Sequence, residues 1–262
     1  MTAMFQAELL KLRRRRVAVA VAAGALAFAA IAAAVVFLSA SDTGEAPAGR
    51  GATVASLGQA GGATEAFSLG VSGAGILVLV LFIANVAGEF AQGTFRTLLM
   101  RQPRRVRLLA GKLAALLVFA AVVLAVAELL TVAASVAIAP TRDVSTAAWL
   151  SSDGLGEAAG DYGRALAGVA AWASLGAAVA IFVRSVPVAL AIGIVWSGPF
   201  EHLVADAWSA AAQWFPGLLL EALAAGGTAD VSVTRALVLV AVYVAAAGSA
   251  AAVVFAHRDI TR

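Results

Sequence analysis

Long apolar runs separated by short polar segments constrain the fold of this chain more than any other feature. Six runs are each near or above the roughly 20 residues that a helix needs to cross a hydrocarbon core about 30 Å thick. They occupy residues 17–38, 67–88, 110–138, 165–183, 186–200 and 236–256. With 62% hydrophobic residues, the chain cannot hide this much apolar surface in a soluble core. The sequence therefore predicts an all-α, polytopic membrane protein with six transmembrane helices and a single transmembrane domain, residues 1–262.

The distribution of charge predicts the orientation of the spans. Fourteen of the 18 basic residues fall on the side that holds the N-terminus, and eleven of the 15 acidic residues fall on the other side. Because Lys and Arg concentrate in cytoplasmic loops, both termini are expected in the cytoplasm. The basic balance therefore indicates topology and contact with anionic lipid, and no nucleic-acid partner is expected. Sixteen Arg against two Lys are typical of a high-GC genome, so the predicted location is a bacterial plasma (inner) membrane.

The segment before the first span, residues 1–16, is predicted to form an amphipathic interface helix on the inner membrane surface. One helical face carries Phe5, Leu9 and Leu12, and another carries Glu8, Lys11 and Arg15. A plain retention anchor is an equally open interpretation. A cleavable secretory signal is disfavoured, because the apolar run that follows is longer than the usual apolar core of about 7–15 residues.

The cytoplasmic loop between the second and third spans, residues 89–107, carries the most informative pattern. An apolar stripe and a polar face are interleaved at helical spacing, the first formed by Phe95, Leu98 and Leu99, the second by Thr94, Thr97 and Arg101. Pro103 is expected to end this short helix. A loop that only sets topology would need only its arginines, so the stripe indicates a docking surface for another protein.

This loop resembles that of the permease subunits of ABC-2 type transporters, especially those that export drugs, antibiotics or other bacterial compounds. The motifs that carry the resemblance are Glu89, Gly93–Leu99, Pro103–Arg105 and Gly111–Lys112, with support from Glu8–Leu12 and Phe255–Asp259. The resemblance implies a subunit that pairs with itself or with a related permease and is driven by two copies of a separate ABC ATPase. ATP and Mg would bind to that partner, and no cofactor would bind to this chain.

In such permeases the loop after the second span forms a coupling helix that docks on the ATPase. Carried over by resemblance, that role falls to Glu89, Gly93, Thr94, Arg96, Thr97 and Leu98. The interface helix, with Glu8 and Lys11, would lie on the membrane beside the ATPase. The sequence contains no G-x-x-x-x-G-K-[ST] phosphate-binding loop, so the energy for transport would have to come from the partner.

Enzyme chemistry has little support in the sequence. His202 is predicted in an outer loop and His257 at the inner end of the last span, so the two imidazoles are not expected to share a metal ion. The chain has no cysteine and no G-x-S-x-G nucleophile elbow. We therefore expect neither a metal site nor catalysis on this chain.

Glu128 lies well inside the third apolar run and forms a polar stripe with Thr131 and Ser135 at i, i+3 and i+7. An intramembrane carboxylate suggests a substrate path. However, a helical rise of about 1.5 Å per residue places Glu128 ~24 Å beyond Lys112, in the outer quarter of the core. Helix packing or snorkelling to the headgroups therefore remains open. Two further classes also remain, a secondary transporter or channel that uses Glu128 and a non-transporting membrane scaffold.

The outer segments are interpreted as follows. Residues 39–66 and 143–163 are predicted to be flexible outer loops because they are rich in small and polar residues. The fifth run is short, and Glu201–Ala225 is predicted to form broken, re-entrant outer helices before the last span. The family resemblance places re-entrant helices at the same point. An amphipathic helix on the outer membrane surface is the alternative.

Overall fold

The computed structural model of this chain describes residues 2–42, 52–101 and 104–257. These residues are helical almost throughout and form no strand, only an isolated bridge between Ser41 and Thr53. Six helices are long and apolar enough to cross a membrane. The predicted all-α architecture with six spans is therefore confirmed. Three residues of the resemblance, Pro103, Arg258 and Asp259, lie outside the described residues.

The helices, in chain order, are α1 (Thr2–Leu12), α2 (Arg15–Ser39), α3 (Val54–Leu57), α4 (Glu65–Ala91), α5 (Thr94–Arg101), α6 (Arg105–Ile138), α7 (Ser152–Val183), α8 (Val186–Val195), α9 (Glu201–Ala207), α10 (Pro216–Ala224) and α11 (Val233–His257). Short 3-10 turns occupy Ala60–Ala63, Ala139–Arg142 and Ser209–Gln213. The candidate spans are α2, α4, α6, α7, the combined helix from α8 to α9, and α11.

The two segments predicted as flexible outer loops are partly ordered. α7 begins at Ser152, so much of the predicted loop 143–163 is helical. In the other segment a capping box formed by Thr53 and Ser56 starts α3. Trp149 then fixes α3, because its indole N–H donates to the carbonyl of Leu57 at 2.9 Å. The Trp149 bond joins residues 92 positions apart in the sequence, so local composition could not reveal the order that it creates.

The fifth span is longer than the apolar run that predicts it. α8 passes through a π-helical turn at Trp196–Phe200 directly into α9, so the helix extends to Ala207 instead of ending at residue 200. Pro199 lies inside this turn. A proline lacks the N–H of an ordinary helical turn, and a π turn accommodates it by shifting the hydrogen-bond register. The segment from Glu201 to Ala225 is a series of broken helices, as predicted; its depth in the membrane stays a prediction.

The chain divides into two compact units. The first comprises Met1–Lys11, Gly73–Val118 and Ala167–Arg262, and the second comprises Leu12–Ser72 and Phe119–Leu166. The first unit has one core around Phe95 and Phe255 and another around Leu219 and Leu223. The core of the second unit gathers around Phe37, Leu57 and Trp149. The candidate coupling helix α5 belongs to the first unit.

Candidate functional site

Four charged side chains from three helices meet in the first unit. Glu8 and Lys11 lie on α1, Glu89 lies near the end of α4, and Lys112 lies near the start of α6. The Lys112 ammonium is 2.7 Å from Glu89 Oε1 and 3.6 Å from Glu8 Oε1. The Lys11 ammonium is 2.6 Å from Glu8 Oε1 and 4.0 Å from Glu89 Oε1. We call these four residues the charge cluster.

The charge cluster is largely withdrawn from solvent. The Lys112 side chain is fully buried, Glu8 and Glu89 are nearly so, and Lys11 is 52% exposed. Buried charges are tolerated when they are paired, and here two carboxylates balance two ammonium groups. The cluster therefore ties α1, α4 and α6 together through contacts that would be costly to break singly.

The charge cluster shows contacts of the interface helix that the sequence did not indicate. Glu8 and Met4 are buried and Leu10 is exposed, and the position of this helix on the membrane beside the ATPase stays a prediction. Lys112, counted as a residue of the inner membrane surface, is fully buried. One signal was available, because both lysines of the chain belong to the cluster whereas every other basic residue is arginine. The fully buried Lys112 position thus holds the more compact of the two cationic groups.

Gly93 separates α4 from α5 and allows the chain to turn between them. Its φ angle is 67°, in the left-handed region that disfavours side chains with a Cβ atom. Its N–H donates to the carbonyl of Phe90 at 3.2 Å, and its own carbonyl accepts from the N–H of Thr97. Gly93 therefore ends one helix and starts the next, which connects α5 closely to the second span.

The inner face of α5 is held by aromatic contacts. Phe95 is fully buried, with its ring 4.7 Å from that of Phe90 and 5.3 Å from that of Phe255 between centroids. Leu98 packs against the same core. The Arg184 guanidinium lies 5.2 Å from the centroid of the Phe90 ring, within cation–π range. These contacts connect α5 to α4, to α11 and to the turn between α7 and α8.

The outer face of α5 is open. Thr97 is exposed, Thr94 is partly exposed, and Met100 is 76% exposed. The side chains of Arg96, Leu99 and Arg101 lie outside the part of the structure that is described. Of the residues predicted to couple to the ATPase, Glu89 and Leu98 therefore face inward, and the described outward positions are Thr94 and Thr97.

The polar stripe on α6 is only partly buried, and the residues that contact it lie in the second unit. Thr131 and Ser135 are fully buried, and the Thr131 hydroxyl donates to the carbonyl of Ala127 at 2.7 Å. Glu128 is half-buried and lies within electrostatic range of Asp161, which pairs with Arg164. The structure thus places a second carboxylate, one already paired with Arg164, near Glu128, which sequence spacing did not indicate.

Sequence reasoning also missed a fully buried carboxylate in the fifth membrane-length helix. Glu201 lies in the extended fifth helix and is fully buried. Its neighbour His202 has Nε2 at 3.3 Å from Glu221 Oε2. Within the described ranges, no group of three or more His, Cys, Asp and Glu side chains could hold a metal ion.

Comparison with known proteins identifies the family. The family model described as "ABC-2 family transporter protein" matches residues 4–199, well over half of the chain. No curated protein and no solved structure matches this chain. The matched region contains the charge cluster, α5, four of the six spans and most of the fifth. The chain therefore belongs to the ABC-2 transporter family and is a multi-pass membrane permease component of an ABC transporter.

Proposed function

We propose that this chain is the permease subunit of an ATP-driven exporter. Two copies, or one copy with a related permease, form the translocation path, and two copies of a separate ATPase bind ATP and Mg and supply the energy. Family membership supports a transport role. The absence of a phosphate-binding loop from the sequence supports an external energy source.

The observation that carries this proposal is the two-sided character of α5. Thr97 and Met100 are exposed on one side of this eight-residue helix, and Phe95 is fully buried on the other. An exposed, mixed polar and apolar helical face suits a protein partner, and the buried face suits transmission of force into the spans. Both properties are needed for coupling, and a passive loop needs neither.

The contacts of α5 suggest how movement reaches the spans. Gly93 joins α5 to α4, Phe255 joins it to α11, and Phe90 with Arg184 joins it to the turn before α8. Glu89 then connects the same end of α4 to α1 and α6 through the charge cluster. Closure of the ATPase pair can drive transport only by biasing such a connected element between two positions. Glu89 thus acts as an internal brace behind the docking surface.

We propose a bacterial inner membrane location with both termini in the cytoplasm. The basic residues around α5 and at the start of α6 support this orientation, because Lys and Arg concentrate in cytoplasmic loops. Arg104 and Arg107 are exposed at the start of α6, where they can contact anionic headgroups. The interface helix α1 then lies at the cytoplasmic membrane surface, with Leu10 exposed toward lipid.

Single cysteines test the docking surface cleanly, because the chain has none of its own. Met100→Cys and Thr97→Cys would be expressed in native membranes and treated with a short bifunctional cross-linker, and the adducts would be identified by mass spectrometry. Thr141→Cys, an exposed position in the loop after α6, is the matched control. We expect an ATPase with Walker motifs to cross-link to the first two variants and not to the control.

Labelling with an impermeant maleimide tests orientation in the same variants. Met100→Cys should react in inverted vesicles and Thr141→Cys in intact cells. Cross-linking of no nucleotide-binding protein to α5, at normal expression, would contradict the exporter proposal. The secondary transporter and the scaffold would then be separated by whether an ion gradient drives uptake into vesicles.

A further inference from the structure

A partly open cavity of about 350 Å³ lies in the first unit, beside the π turn of the fifth span. Apolar residues of α4, α7, α8 and α11 form most of its wall, among them Leu79, Trp172, Val179, Phe182, Ile192 and Ala247. Glu201, at the start of α9, is the single residue with a charge-bearing side chain in that wall. The charge cluster and α5 take no part in it.

The Glu201 carboxylate is held at the N-terminus of α10. Its Oε2 accepts a hydrogen bond from the N–H of Leu218 at 3.0 Å. Gly217 leaves the room for this contact, because a Cβ atom there would lie 2.5 Å from Oε2. The first N–H groups of a helix have no partner within the helix, and the helix dipole favours a negative charge at that end. The N-terminus of α10 therefore supplies a donor and a favourable dipole to the Glu201 carboxylate.

The second carboxylate oxygen is not satisfied. Glu201 is fully buried, and Oε1 has no well-formed hydrogen bond among the described residues, although the side chain of Trp196 interacts with the carboxylate. A buried acceptor without a donor is costly, and a buried charge without a partner is more costly still. The wall of an apolar cavity thus contains a buried carboxyl group with one unused acceptor.

We propose that this cavity binds an apolar molecule that carries one ammonium group, which donates to Glu201 Oε1. The aliphatic and aromatic wall accommodates the apolar body, and Trp172 and Trp196 line the same space as possible cation–π partners. An anionic ligand would be repelled, and a neutral one would leave the carboxylate uncompensated. Two sources share this chemistry, a small hydrophobic amine and an aminophospholipid headgroup with part of its chains.

Binding at this site does not require the ATPase, whereas its use as a cargo site rests on the proposed function. The test therefore uses the full-length chain alone, in nanodiscs of phosphatidylcholine and phosphatidylglycerol. The probes are 1-adamantanamine and 1-adamantanol, which have the same apolar body and differ in charge. Isothermal titration calorimetry should show saturable binding of the amine, with the alcohol about 10- to 100-fold weaker, as expected for one hydrogen bond to a charged group.

Two variants locate the binding to this cavity. Glu201→Gln keeps an acceptor for Leu218 and removes the charge, so it should lose about 10- to 100-fold in affinity for the amine. Ala247→Phe should reduce binding of both probes by filling the space. Glu157→Gln makes the same carboxylate-to-amide change in a helix residue that is not among those lining the cavity, and it should bind as the parent does. Non-specific partition of a given probe into the lipid should be the same for all of these variants.

The outcomes are distinguishable. Competition by added phosphatidylethanolamine would identify a lipid as the occupant, and its absence would identify a small amine; either supports an ammonium site. Equal affinity for amine and alcohol, full affinity in Glu201→Gln, or no saturable binding by a folded chain would overturn the proposal. The exporter proposal would survive any of these results, because its cross-linking test uses no ligand.

Discussion

Replacing Lys112 by methionine tests the charge cluster most directly. Methionine has similar length and no charge, so Glu8 and Glu89 would remain buried with only the half-exposed Lys11 as a partner. Breaking a buried ion pair by removing one partner costs about 3–5 kcal/mol. Full burial of Lys112 and its contact with two carboxylates within 3.6 Å justify that range. We therefore expect Lys112→Met to lose about 3–5 kcal/mol of unfolding free energy.

The matched control is Lys11→Met in the same cluster. Lys11 is 52% exposed, so water screens its contribution, and we expect a loss of about 1 kcal/mol or less. Lys112→Arg keeps the charge but brings a larger, planar group into a fully buried position, so it should also destabilise the protein. The double variant Lys112→Met with Glu89→Gln should recover part of the loss, since it removes one of the uncompensated charges.

The measurement is reversible unfolding in mixed micelles titrated with dodecyl sulfate, followed by circular dichroism. Stimulation of the partner ATPase should be followed in parallel, since loosening of α1 from α6 should also weaken coupling. Equal losses in Lys112→Met and Lys11→Met would refute a buried cluster. A Lys112→Arg variant with parental stability would refute the argument that the space is sized for an ammonium group.

Three further predictions concern α5 and α6. Gly93→Ala should lose about 1–2 kcal/mol of unfolding free energy, because φ at this position is 67°. No described atom lies within 4 Å of the added Cβ, so backbone strain alone sets this cost. Gly93→Asn should lose less, and equal losses in the two variants would contradict this reasoning. Phe95→Ala should cost about 3–5 kcal/mol and speed hydrogen exchange in α5, whereas exposed Met100→Ala should change neither. Ser135→Ala should be neutral or stabilise by about 1 kcal/mol, because its buried hydroxyl has no described partner; lower transport at unchanged stability would instead assign Ser135 to the substrate path.

The family resemblance and the amphipathic pattern of α5 were accessible from sequence because both are local. Helical spacing places Phe95 and Leu98 on one face whatever the rest of the chain does, and the structure buries Phe95 as that spacing predicts. The family model that matches residues 4–199 confirms the resemblance. Docking of α5 on an ATPase stays a prediction, as do the roles assigned to Glu89, Gly93 and Thr97.

The same local reasoning failed where a partner decides the environment of a residue. Glu8 lies at a polar position of a helix at the membrane surface, and nothing nearby in the sequence shows that Lys112 neutralises it. Glu201 follows the apolar run predicted to end at residue 200, but the π turn carries the helix past Pro199, and the carboxylate is buried. In both cases the environment of the carboxylate depends on residues that are at least several helical turns away in the sequence.

The sequence by itself determined the class of this protein, its number of spans and its family. Span number depends on the length of an apolar run relative to the bilayer, and both quantities are known before folding. The tertiary structure alone decided which charges meet, which helix continues through a proline, and where a carboxylate borders a cavity. These outcomes depend on long-range packing, because the free energy of a buried charge or an irregular turn is set by the groups that surround it.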